Sequence, residues 1–83
     1  MNPPASNFRP SSARLSTRQP LHGAIQSIRL ALHHNARASL GLNTAPATYV
    51  SGELRLGAAA AKAAQRKLRK ALDLLREPYI PHP

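Results

Sequence analysis

The chain has no cysteine and no tryptophan, only three acidic residues, and just one phenylalanine and two tyrosines. Without cysteine there is no disulfide framework and no thiolate-based zinc or redox centre. The carboxylates are Glu53, Asp73 and Glu77. Asp73 and Glu77 stand one helical turn apart and Glu53 is distant from both, so paired-acid chemistry has no partners to work with. They read as helix-end and surface charges. Phe8, Tyr49 and Tyr79 are too scattered to form a base-stacking platform. No apolar run reaches the roughly 18 residues of a membrane-spanning helix. Valine occurs once, and so thin a supply of β-branched and aromatic residues disfavours a sheet.

What is present is a basic chain of 83 residues with nine Arg and three Lys, a net charge of +9. Its apolar residues are mostly Ala and Leu, which favour helix. A chain this short seldom holds both a self-sufficient core and a deep catalytic cleft. It has no nucleophile motif, Gly-rich phosphate loop or dinucleotide fingerprint. The expectation is a non-enzymatic protein with no cofactor. His22, His33, His34 and His82 include no pair at the four-residue spacing that puts two ligands on one helix face, so they read as surface histidines and no metal site is assigned.

Three segments follow from composition. Residues 1–19 carry three prolines, four serines and three arginines, too little apolar surface to offset the entropy of ordering, and read as a flexible basic arm. Residues 20–77 hold two helical patterns. Residues 78–83, PYIPHP, read as an extended tail, because proline cannot continue a helix.

The first helix is expected over about 20–40, with Pro20 in its opening turn. Leu21, Ile25, Ile28 and Leu32 share one face at spacings of four, three and four, flanked by Ala24, Ala31 and Ala38. Gly41 is the expected stop. The second is expected from 46 or 51 to 76. Val50, Leu54, Gly57, Ala61, Ala64, Leu68, Ala71 and Leu75 make a heptad-like seam, bulky at its ends and small in its middle. An antiparallel hairpin turning at 41–47 places Ile25 and Ile28 opposite Gly57, Ala61 and Ala64, so large side chains meet small ones. The fold class is therefore an all-α two-helix hairpin. Leu30, Leu56, Leu72 and Leu74 lie off that seam and form the expected protein interface, either for assembly into a helical bundle or for docking on a partner.

The charge pattern points to a partner class. Arg55, Lys62, Arg66, Arg69 and Arg76 alternate by four and three along one face, and Lys67 and Lys70 widen it. Solvated faces usually alternate charge sign, and only Asp73 does so here. Such a ridge suits nucleic acid, DNA or RNA, or an acidic protein surface. Arg9, Arg14 and Arg18 on the arm supply further expected contacts. The functional expectation is a small regulator bound to phosphate backbone; the alternative is a phage- or mobile-element-type adaptor or inhibitor that docks on a larger bacterial protein through apolar residues with an Arg rim. Either fits a cytoplasmic setting in a bacterial or phage-infected cell. The acid-free stretch from Met1 to Gly52 also matches the composition of an organelle-targeting peptide.

Overall fold

The computed structural model describes residues 12–76, and the expectations for Arg9, Glu77 and the Pro-rich tail lie outside the described residues. Two helices, α1 (Ser12–Gly41) and α2 (Ala47–Leu75), pack against each other as an antiparallel hairpin. This is the expected fold class.

The start of α1 differs from the expectation. The helix begins eight residues before Pro20, so residues 12–19 of the supposed arm are helical. Proline inside a helix supplies no N–H and crowds the carbonyl four residues earlier, a cost of about 3 kcal/mol. Thr17 is buried, so the packed face of α1 extends ahead of the proline. At the other end, α1 stops at Gly41 as expected, although no glycine among the described residues has a positive φ. Space explains this glycine instead. A Cβ at Gly41 would come within 3.2 Å of both Ala45 and Tyr49, where the chain folds back.

The turn is tightly bonded. The amides of Thr44 and Ala45 donate to the Gly41 carbonyl at 3.2 and 2.9 Å, and the Thr44 hydroxyl donates to the Leu40 carbonyl at 3.4 Å. Thr44 therefore ties down the end of α1 and does not cap α2. Pro46, with φ −61° and ψ 149°, precedes the first turn of α2 without a side-chain cap. Its carbonyl accepts the Tyr49 and Val50 amides at 3.0 and 3.2 Å. From there α2 runs uninterrupted through Gly52 and Gly57.

The seam between the helices is made of small residues. From α1 the buried positions are Thr17, Ala24, Ser27, Ala31, Ala38 and Gly41. From α2 they are Val50, Glu53, Gly57, Ala60, Ala64 and Ala71. Both rows step by three and four, or by seven where a half-buried or longer residue intervenes, the signature of a sustained two-helix contact. The expected seam is thus half right. Val50, Gly57, Ala64 and Ala71 belong to it, but Leu54, Ala61, Leu68 and Leu75 sit one position round the helix, exposed. On α1 the reversal is complete: the Ala row is the seam, and Leu21, Ile25, Ile28 and Leu32 flank it, each more than 40% exposed.

The physical reason is closeness. Two helices alone cannot enclose a leucine, but small residues let the backbones approach and multiply dispersion contacts. Gly57 is one close approach: an added Cβ would overlap Asn35 Oδ1 and come within 3.5 Å of the Ala31 carbonyl. The vertical register agrees with the expectation. Glu53 meets His34 and Arg37, Gly57 meets Ala31 and Asn35, and Lys67 meets Gly23, which puts Ile28 level with Ala61.

Candidate nucleic-acid interface

The seven-residue repeat that builds the seam also fixes where the cations go. Arg55, Lys62, Arg69 and Arg76 are spaced by seven and lie about 170° round α2 from the middle of the seam, at about 100° per residue. Arg66 lies beside them. All five are exposed and none takes part in an ion pair among the described residues. At about 1.5 Å per residue the row from Arg55 to Arg76 is roughly 30 Å long. Asp73, one turn from Arg69 and Arg76, is the single acid on that face among the described residues.

The other expected contacts divide. Lys67 leaves the ridge: its stem lies against the Gly23 backbone and its ammonium donates to Ser27 Oγ at 3.0 Å. It is a strut between the helices. Lys70 is exposed on the flank between ridge and seam, and Arg14 and Arg18 are exposed in the opening turns of α1. The expected protein interface does not form one patch. Leu74 is half-buried in the seam row, whereas Leu30, Leu56 and Leu72 are exposed. Leu72 follows Leu68 by one turn on one side of the hairpin, with both bordering the same shallow hollow. Leu56 borders a different hollow with Tyr49, Gly52 and Arg55 on the opposite side.

A polar cluster that sequence spacing did not reveal closes the seam near the turn. Glu53 is buried. Arg37 Nε donates to its Oε1 at 2.8 Å, and His34 Nδ1 pairs with its Oε2 at 2.6 Å. The guanidinium of Arg37 also lies 5.8 Å from the centre of the Tyr49 ring, within cation–π range. Hydrogen bonding from Arg37, then from His34, holds the Glu53 carboxyl below its ordinary pKa against the opposing effect of burial. The same bond raises Arg37 above its ordinary value. Glu53 is therefore not a surface charge, and His34 is half-buried. The cluster consumes one of the two acids in the described residues, which leaves the ridge charge almost uncompensated.

Among the described residues, no three His, Asp or Glu side chains come together in a way that could hold a metal ion. No helix there is long and apolar enough to cross a membrane. Comparison with family models, with curated proteins and with solved structures finds no match to this chain.

Proposed function

We propose that this protein is a small non-enzymatic regulator that binds the phosphate backbone of nucleic acid through the outer face of α2. The observation that carries this reading is the exposed row of Arg55, Lys62, Arg66 and Arg69 on α2 with Arg76 at its C-terminal cap, free of ion pairs among the described residues. Four of the five are arginine, whose planar fork matches phosphate oxygens in pairs. A helix bearing cations on one side follows a backbone, and the positions of this ridge carry no amide side chain to read base edges. Binding of this kind releases condensed counterions and weakens steeply with salt.

Fluorescence anisotropy with a short DNA duplex and with a single-stranded RNA, across a salt series, tests it. Five phosphate contacts on duplex correspond to a log–log salt slope of about −4 to −5. Replacing Arg66 and Arg69 together with alanine should reduce the slope by nearly 2, at about 0.9 per contact. No binding to either nucleic acid at low salt, or a slope unchanged by the double substitution, overturns the reading.

A further inference from the structure

The large aliphatic side chains that the seam leaves out are not scattered. On α1, Leu21, Ile25, Ile28 and Leu32 form one row beside the seam. On α2, Leu54, Leu68, Leu72 and Leu75 form the matching row on the same side of the hairpin, because each begins one position after a seam residue in antiparallel helices. Near the turn the two rows border a common hollow, lined by Asn35 and Ser39 of α1, Leu42 just past its end, and Leu54 of α2. No charged residue interrupts the row from Leu21 along α1 to Leu42 in the turn, or from Leu54 to Leu75 on α2; its polar members are Asn35, Ser39 and Gln65.

We infer that this face binds a second copy of the chain, giving a four-helix bundle in which α1 of each copy lies on α2 of the other. Three observations select that occupant. The eight side chains are each between 40% and 63% exposed. Together they offer roughly 700 Å² to cover, close to the ~800 Å² each partner contributes to a standard interface.

Shape is the second. The α2 row is bulky at its ends and small at Ala58 and Ala61 in its middle, while the α1 row is bulky at Ile28 and Leu32, which stand at that level. Residues 28 and 61 are level within one hairpin, and a two-fold axis parallel to the helices keeps them level between copies. Ile28 and Leu32 of each α1 then enter the small-residue hollow of the partner's α2, while Ile25 comes level with the partner's Gln65. Inside one hairpin this match is unused, since neither row is in the seam.

Charge is the third. Stacking α2 on α2 would bring two rows of five cations, each opposed only by Asp73, within about one helix diameter, near the ~8 Å Debye length at physiological salt. Placing α1 on α2 sets the two ridges diagonally apart and leaves both exposed. The assembly does not rest on nucleic-acid binding and survives if that reading fails.

Because the chain lacks cysteine, disulfide trapping gives a direct test. Ile25→Cys and Gln65→Cys, made in separate chains and oxidised as a mixture, should yield a cross-linked heterodimer in high proportion, while either variant alone should not. Sedimentation should show wild-type dimer at tens of micromolar, Leu72→Lys dissociated by about a hundredfold or more, and Leu30→Lys, on the opposite side, still dimeric. A monomeric wild type overturns the proposal. So does efficient cross-linking of Ile25→Cys with itself, or equal dissociation by Leu72→Lys and Leu30→Lys.

Discussion

Ala24→Leu separates the two ways this chain could have paired its helices. In the structure Ala24 is 0% exposed, at a level where the stem of Lys67 already lies against neighbouring Gly23. A leucine there has three extra carbons and no cavity to receive them. Overpacking of a filled contact costs about 1–3 kcal/mol, and in a unit this small each kcal/mol moves the melting temperature by roughly 4–8 °C. Ala36→Leu is the control: it makes the same chemical change on the same helix at an exposed position, with only a few tenths of a kcal/mol of propensity at stake. Thermal melts followed by circular dichroism, at one fixed protein concentration because association raises apparent stability, should show Ala24→Leu lower by about 5–20 °C and Ala36→Leu near wild type. If α1 instead paired through Leu21, Ile25, Ile28 and Leu32, Ala24 would only flank the contact and the two variants would melt alike. That result would refute the small-residue seam.

Two further outcomes follow from positions off that contact or at its end. Gly52 has no atom near an added Cβ and ordinary helical backbone, so Gly52→Ala should stabilise by about 0.5–1 kcal/mol in urea titration, through helix propensity and a less flexible unfolded chain. Glu53 has a folded-state pKa below its ordinary 4.5, so its contribution is complete above that value and is lost as the pH falls through the depressed one. Helicity should decline in acid over that window in the wild type, and the decline attributable to this site should be missing in Glu53→Gln; an identical acid limb in both proteins would show that the Arg37–Glu53–His34 cluster carries no pH-dependent stability.

Much of the fold was legible because it depends on local signals. Two helices, their antiparallel turn after Gly41 and the level of Ile28 with Ala61 all follow from spacing and loop length. The ridge from Arg55 to Arg76 was legible for the same reason, since exposed positions on one helix need only the 3.6-residue period. The rotation of the seam was not. A pattern reading assigns the largest apolar residues to the deepest positions, which holds where several layers surround a core. Here Ala24, Ala31 and Ala38 offered an equally regular row, and close backbone approach decided between them. The Glu53 cluster escaped for a different reason: His34 and Arg37 lie 19 and 16 residues before it, and only the folded register brings them together. Pro20 misplaced the start of α1 because a proline inside a helix and one in its first turn look alike in sequence, and only the burial of Thr17 ahead of it tells them apart.

The shared seven-residue period has a consequence for the ridge. A straight α-helix drifts by about 20° per heptad against a strict repeat, so over the three heptads from Arg55 to Arg76 a free helix would swing its cations by roughly 60°. Keeping Val50, Gly57, Ala64 and Ala71 in contact with α1 requires the two helices to wrap gently round each other, and that wrapping cancels the drift relative to the partner helix. Arg55, Lys62, Arg69 and Arg76 consequently face away from α1, and Lys67, one position from Arg66, reaches across the edge of the seam to Ser27. The small-residue contact is thus what makes the charge a ridge with one direction, and it leaves the apolar flank between ridge and seam open along the same length.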